Sequence, residues 1–462
     1  MADLEAIYLR MPFFVQNALC NVQGWKNERQ RYGRAFPALL REAEERVGWP
    51  QEQMIAFRDR RLRAFVQHCA RTVPYYQRLF QKLCIGPEEI RTLEDLQRLP
   101  ILTKDEVRAH SQELISQAVP ERERIWMHTS GTTGGGLRFP TTAQSLREVY
   151  AACWRYRRWH GLERGTWGAF FAGRSLVPLT QSQPPFWRIN AVGRQILFSG
   201  YHMSPNNLPA YVAELRRRRP PWLHGYPSLL ALLAAYLLDT GQDLGYPVRW
   251  ITLASESLLP QQAEQMRLAF GVTPRQHYHM TESVAHASEC EYGALHVDED
   301  FAAVEFVPNA DGANFKVIGT NFTNLAFPLL RYEVQDHVTL GEVACPCGRP
   351  GRILADVDGR REDYVLLKNG ARLGRLDHIF KDMVHVREAQ IVQRQRGQMI
   401  LRIVRGSGYT QADEARLLEE TRRRVGADMD LLVEYSESLP RSRSGKLRFV
   451  LSEIQDGQLT TS

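Results

Sequence analysis

Between residues 120 and 340, short apolar runs of β type alternate with longer stretches of helical period, and this alternation restricts the chain more than any other feature. The runs are Trp167 to Ala172, Trp250 to Leu253 and Phe315 to Gly319; the helical stretches are Ala143 to His160, Ser228 to Leu238 and Pro260 to Phe270. Strands separated by helices predict an α/β core in which helices cover the sheet. Residues 1–100 read as mostly helical, with Met54 to Ala70 broken at Thr72-Val73-Pro74 and again before Pro100. A third pattern follows Gly359. His385 to Val392 and Gln398 to Val404 form a hairpin-like pair around Arg396-Gly397, Asp413 to Val425 reads as a helix, Leu431 to Ser436 as a strand and Lys446 to Ile454 as a last helix. This is a small α+β unit, so the expected division is 1–358 and 359–462, with the boundary near Gly359 to Asp363. The sequence contains no internal repeat and no low-complexity segment.

With 462 residues, 44% of them hydrophobic and 24% charged, the chain can bury a large core. It has no apolar stretch of about 18 residues, which excludes a spanning helix on composition. Asp3, Glu5 and Arg10 precede the short apolar run Met11 to Val15, the wrong order for a secretory signal, and cytoplasmic residence is expected. Seven cysteines are few and odd in number, which argues against a disulfide framework. The net charge of +7 does not by itself select a partner. Its densest run, Arg216 to Arg219, ends an amphipathic segment before Pro220-Pro221, where cations meet a helix C-terminus. Basic residues are not interleaved with stacking aromatics, so nucleic acid is not an expected partner. The apolar segment Tyr8 to Leu19 is expected to dock onto the large domain rather than rest on a membrane surface.

The chemistry centres on Thr129-Ser130-Gly131-Thr132-Thr133-Gly134-Gly135-Gly136, between a candidate strand (Glu123 to Met127) and a helix starting near Thr142. Four glycines and several hydroxyls let a backbone nest close around phosphate oxygens. The run lacks the Gly-Lys-Ser/Thr ending of a Walker loop, which excludes a P-loop NTPase. Three further motifs follow: Tyr278-His279-Met280-Thr281-Glu282, Arg331-Tyr332-Glu333-Val334-Gln335-Asp336 and Pro440-Arg441-Ser442-Arg443-Ser444-Gly445-Lys446. Together, in this order, the four resemble the signature motifs of the adenylate-forming superfamily of acyl-CoA and aryl-CoA ligases, peptide-synthetase adenylation domains and luciferases. Within it, the chain is most similar to the phenylacetate-CoA ligase family and its relatives from capsular-polysaccharide clusters. The likeness also takes in Leu99-Pro100-Ile101-Leu102-Thr103-Lys104, Gly225-Tyr226-Pro227-Ser228, Ser255-Glu256 and Gly359-Arg360.

The resemblance implies a large adenylate-forming domain with helix-covered sheets and a small mobile α+β domain. It implies ATP-dependent activation of a carboxylic acid as an acyl-adenylate, with pyrophosphate released, then thioester formation with CoA. Residue by residue, Thr129, Ser130, Gly131, Thr132, Thr133 and Gly134 would hold the phosphates of ATP, with Ser255, Glu256 and Arg360 also at the nucleotide. Tyr278 would pack on adenine, Thr281 would touch the α-phosphate, Glu282 would help hold Mg²⁺, and Asp336 would accept hydrogen bonds from the ribose. Lys446 would stabilise the charge that develops as the acid attacks the α-phosphate. It would leave when the small domain swings about Glu362 or Asp363 for attack by the thiol. Tyr226, His277 and His279 would line the acid pocket.

Two features set this chain apart. His279 stands where relatives usually have the glycine that follows the motif tyrosine, which makes phenylacetate itself a doubtful fit and points to an acid with a second polar group. Gly135-Gly136 replaces the lysine relatives often carry after the phosphate loop. In addition, Cys345-Pro346-Cys347 reads as a metal knuckle, completed by Cys290 and His296 into a Cys₃His set suited to structural Zn²⁺. The expected partners are a small carboxylic acid, ATP and CoA, with a homodimer as a further expectation. Transfer to an amine, hydroxyl or carrier-protein thiol stays open beside CoA. A nucleotide-binding scaffold without catalysis is the remaining alternative, against which Glu282, Asp336 and Lys446 argue.

Overall fold

The computed structural model describes residues 2–129, 136–173, 175–204, 206–256, 258, 260–308, 315–341, 344–358, 365–373, 376–380, 386–405, 408–437, 439, 450–452 and 454. Among these, twelve strands join into one mixed sheet with helices packed on it. One half is mostly parallel: Gln195–Ser199, Gly168–Ala172, Trp222–Gly225, Trp250–Leu253 and Arg275–His279 lie side by side in that order, and Trp187–Asn190 adds an antiparallel edge. The other half is antiparallel: His286–Glu289, Leu295–Val297, Ile353–Asp358, Tyr332–Leu340, Phe315–Asn321 and Ala302–Pro308. The expected α/β class holds.

Strand Arg275–His279 is the seam. It runs parallel to Trp250–Leu253 on one side and antiparallel to His286–Glu289 on the other, with His277 opposite Ser288 and His279 opposite His286. Parallel strands have both faces covered, so they read as nearly unbroken apolar runs. Ala169, Phe171, Ile196, Phe198, Leu223, Ile251 and Leu253 are accordingly buried, packed under helices Leu208–Arg218 and Pro227–Asp239. Gly225 has no alternative at its position: a Cβ there would sit 2.3 Å from the carbonyl oxygen of Phe171 on the neighbouring strand.

Of the N-terminal helices Ala2–Arg10 and Phe13–Arg31, the second docks onto the edge of the large sheet, and it does so through polar contacts while Phe14 stays exposed. Asn17 accepts a hydrogen bond from Ile189 N at 2.8 Å, and Asn21 donates to Ile189 O at 3.1 Å, so two helix side chains occupy the open edge of strand Trp187–Asn190. The run Arg216 to Arg219 does end a helix; Arg217 and Arg218 both pair with Glu214.

A separate four-stranded sheet has the order Asp430–Tyr435, Gln398–Arg405, Val386–Gln393, Val450–Ser452. The central pair is the expected hairpin, and helix Gln411–Val425 packs Leu417 and Val425 against Ile391, Leu401 and Ile403. Thr410 opens that helix with a reciprocal capping pair to Asp413. The expected last helix, Lys446 to Ile454, is corrected: Val450–Ser452 is a strand pairing in parallel with Ile391 to Gln393. The edge of Val386–Gln393 offers unpaired backbone groups, and the β-branched, apolar start of the segment suits that pairing better than a helix.

Candidate active site

In open α/β sheets, ligands bind beyond the carboxyl ends of the parallel strands, where the strand order changes direction. This sheet follows the rule. A cavity of about 320 Å³ is bordered by the residues at or just past those ends: Ala172, Tyr226, Ser255, and Met280 with Thr281. Side chains on a strand alternate between its faces. On Arg275–His279, His277 and His279 therefore turn into the cavity, while Tyr278 points to the opposite side and donates its hydroxyl to Asp336 Oδ2 at 2.9 Å. That bond joins two motifs 58 residues apart in sequence.

Four of the seven described non-glycine residues with positive φ lie at these motifs: Ser255 (75°), Ser283 (57°), Arg331 (52°) and Gln335 (70°). Backbone held in this sparsely populated region is characteristic of binding sites. Glu282 follows the seam strand, and its carbonyl accepts a hydrogen bond from Asn321 Nδ2 at 3.0 Å. Glu256 is half-buried beside Ser255. Thr129 is buried at the neck of the glycine-rich run, where it exchanges two hydrogen bonds of 2.9 Å with the backbone of Leu137. Ser130, Gly131, Thr132, Thr133 and Gly134 lie outside the described residues, as do Arg360, Glu362, Asp363 and Lys446.

Arg331 has a building role. It forks onto Glu305 at 2.8 and 2.9 Å and donates to the carbonyls of Gln97 and Leu99, while Leu102 bridges to Tyr332. The Leu99 to Lys104 motif is thereby laced to the strand that carries Asp336.

Behind the cavity lies a buried polar chain. Arg155 binds Asp298 and Asp300 at 2.7 Å each. Asp298 also accepts from Ser288 Oγ at 2.8 Å and from His286 Nδ1. His286 Nε2 lies 2.9 Å from His277 Nε2, and Cys153 Sγ is 3.9 Å from His286. Burial disfavours charge on His286, but the Asp298 carboxylate more than offsets it and raises the His286 pKa to about 9. Protonated His286 therefore donates to both Asp298 and His277, and burial, with the nearby His286, His279 and Arg157, keeps His277 neutral. The same surroundings depress His279, though its ring opens onto the cavity, where water moderates the shift.

Motif reading missed three residues of this wall: Arg31, Arg157 and His224. Arg31 lies 4.5 Å from the ring centre of Tyr150, and Arg157 lies 4.8 and 5.1 Å from those of Trp154 and Trp222. His224 Nδ1 is 2.8 Å from Thr252 Oγ1. The signal for Arg157 was present in the sequence, because Leu146, Tyr150, Cys153 and Arg157 recur at helical spacing, a single cation closing an apolar stripe.

The four proposed metal ligands converge away from the cavity. Cys290 directly follows the strand His286–Glu289, His296 lies on Leu295–Val297, and Cys345 and Cys347 lie between Tyr332–Leu340 and Ile353–Asp358. Their ligand atoms all fall within 4.8 Å of one another, with Cys290 Sγ 3.7 Å from Cys345 Sγ and Cys347 Sγ 3.3 Å from His296 Nε2. Tetrahedral zinc with bonds of about 2.3 Å to sulfur separates its sulfurs by about 3.8 Å, so this donor set fits such an ion.

Comparison with known proteins agrees with this geometry. Residues 367–453 match the family model of the CapK C-terminal domain. The chain is 24% identical to Protein CapK of Staphylococcus aureus, over 98% of this chain and 100% of that protein. It is 25% identical to the phenylacetate-coenzyme A ligase of Thermus thermophilus, over 87% and 97% of the two chains. Among solved structures, 2-hydroxyisobutyryl-CoA ligase in complex with 2-HIB-AMP and CoA superposes with a TM-score of 0.60 at 19% identity, covering 88% of this chain and 91% of that one. The chain is a homologue of CapK and of the phenylacetate-CoA ligases, built on the fold of the adenylate-forming superfamily.

Proposed function

We propose that this protein activates a carboxylic acid with ATP, forming an acyl-adenylate and pyrophosphate, and then transfers the acyl group to the thiol of CoA. The observation that carries the reading is the opposed use of strand Arg275–His279: Tyr278 meets Asp336 on one side, and His277 and His279 line a cavity on the other. A nucleotide on the Tyr278 side and an acid in the cavity would then meet at Thr281, just past the strand end. There a carboxylate oxygen bonds to the α-phosphorus as the bond to pyrophosphate breaks, and in the second step the thiol sulfur takes the acyl carbon as AMP leaves. The homology to phenylacetate-CoA ligases supports the same order of events.

In this reading Asp336 accepts the ribose hydroxyls, Ser130 to Gly134 cradle the phosphates, and Ser255, Glu256 and Arg360 complete the nucleotide side. Lys446, on a mobile unit of residues 359–462, meets the charge of the first transition state. Glu282 would hold Mg²⁺, which when bound neutralises phosphate charge. The Cys290, His296, Cys345 and Cys347 set would hold a structural Zn²⁺ that ties the β-hairpin at Cys290 to the connection at Cys345.

Pyrophosphate release measured over aryl, fatty, amino and sugar acids, with and without CoA, tests the reading. Acid-dependent release, followed by CoA-dependent loss of the adenylate, is expected. ATP binding with no release for any acid would refute it.

A further inference from the structure

Among the described residues, the walls of the cavity carry two arginines and three histidines but no aspartate or glutamate. Arg31 and Arg157 are half-buried, and neither forms an ion pair with a described carboxylate; each instead faces aromatic rings. Most other half-buried guanidiniums among the described residues are matched: Arg46 to Asp300, Arg275 to Glu289, Arg352 to Glu299. A guanidinium taken partly out of water without a carboxylate is costly unless an anion arrives to pair with it. Arg157 is placed to receive one. It stands close enough to His277 and His279 for its charge to depress both. Stacking on Trp154 and Trp222 leaves the guanidinium edge, with its parallel N–H donors, available for bidentate contact with a carboxylate.

Resting on the acid-activating reading, we propose that the substrate is a dicarboxylic acid, with one carboxylate activated near Thr281 and the second bound by Arg157 at the far end of the cavity. Two unpaired cations on the wall match two carboxylates in charge, whereas a monocarboxylic acid with an apolar tail leaves Arg157 buried against it. The strand sets the length. His279 and His277 are two residues apart, about 7 Å along the strand, so the tail must reach past His279 to meet the group beside His277. Phe170, Tyr150 and Phe198 supply apolar walls for a planar or short aliphatic body between the two charges.

The test uses matched pairs on the full-length protein: 4-carboxyphenylacetate against phenylacetate, and adipate against hexanoate. Binding is read by calorimetry and turnover by pyrophosphate release. A charge-assisted bidentate contact predicts a diacid preference of about 10- to 100-fold in the wild type. Arg157→Gln should reduce the ratio to less than about threefold, and Arg157→Lys should leave an intermediate ratio. Because each ratio compares two ligands on one preparation, a partly unfolded variant does not alter it, and the wild-type ratio stands without any variant. Equal binding of both members of each pair, or a ratio unchanged in Arg157→Gln, overturns the proposal. Diacid binding that depends on Arg157 but yields no pyrophosphate upholds the anion site and defeats the acid-activating reading. Turnover of monoacids alone does the reverse.

Discussion

Tyr278→Phe isolates one hydroxyl. The ring stays, so the stacking on adenine proposed for it is preserved, and only the bond from Tyr278 Oη to Asp336 Oδ2 at 2.9 Å is lost. Hydrogen bonds to charged groups contribute about 1.5–3 kcal/mol. Both partners here are half-buried, so partial solvation places the loss toward the lower value. Part of it falls on the ribose contact, because a carboxylate released from Tyr278 must be reordered each time nucleotide binds. At about 1.4 kcal/mol per factor of ten, the KM for ATP should rise roughly tenfold. The maximal rate of acid-dependent pyrophosphate exchange should change little, since the hydroxyl does not touch the reacting atoms. Exchange kinetics with ATP varied at saturating acid separate the two parameters. An unchanged KM for ATP, with Tyr278→Phe folded by circular dichroism, would refute the inference that this bond orders Asp336 for the ribose. A collapse of the maximal rate at unchanged KM would refute it equally, by placing the hydroxyl in the chemistry.

Lys446→Ala should lower adenylation by about 10²–10³-fold, the cost of removing one charge-stabilising donor, while thioester formation from supplied acyl-adenylate continues; pyrophosphate exchange near the wild-type rate would sink the assignment. Cys347→Ser should reduce zinc from about one equivalent to a trace and lower the melting temperature by at least about 5 °C, as metal analysis and calorimetry would show. His286 gives a pH dependence of defined sign. Its pKa is about 9 in the fold against about 6.5 unfolded, so its contribution is fully present below pH 6.5 and is lost as pH rises through 9. The full contribution is on the order of 3 kcal/mol, and urea midpoints at pH 6.5 and 9.5 should show a fall in the wild type that His286→Gln lacks.

Local pattern made much of this molecule legible before any coordinates. The parallel strands and their helices are covered on both faces, so their apolar runs stand out, and Trp250–Leu253 and Pro260–Phe270 begin and end where the sequence places them. The last strand, Val450–Ser452, did not stand out, because three residues carry no period and their conformation is imposed by the open edge of Val386–Gln393. The proposed zinc ligands were legible for a different reason: thiolate pairs need short spacings, which survive in one dimension. The chain from Arg155 through Asp298 and His286 to His277 was not, since its members are 9 to 143 residues apart and none is unusual where it stands.

The same division explains why the motifs report more on the proposed nucleotide side of the site than on the proposed acid side. Nucleotide chemistry is fixed, so in the proposed reading its residues recur in order along the chain: Tyr278, Thr281, Glu282, Asp336. The acid pocket is assembled across elements, with Arg31 and Tyr150 on two helices, His224 on one strand and His277 with His279 on another. Tyr226, His277 and His279 were legible on its wall, His279 as a departure from glycine. That histidine is best understood with what surrounds it. A glycine at 279 would open the seam strand to a bulkier acid, whereas a histidine narrows the passage and leaves a polar wall on the way to Arg157. His279→Gly should therefore admit aryl monoacids that the wild type turns over poorly, while leaving the diacid preference at Arg157 in place. A variant that gained aryl monoacids and lost the diacid preference together would show that His279, rather than Arg157, sets the specificity.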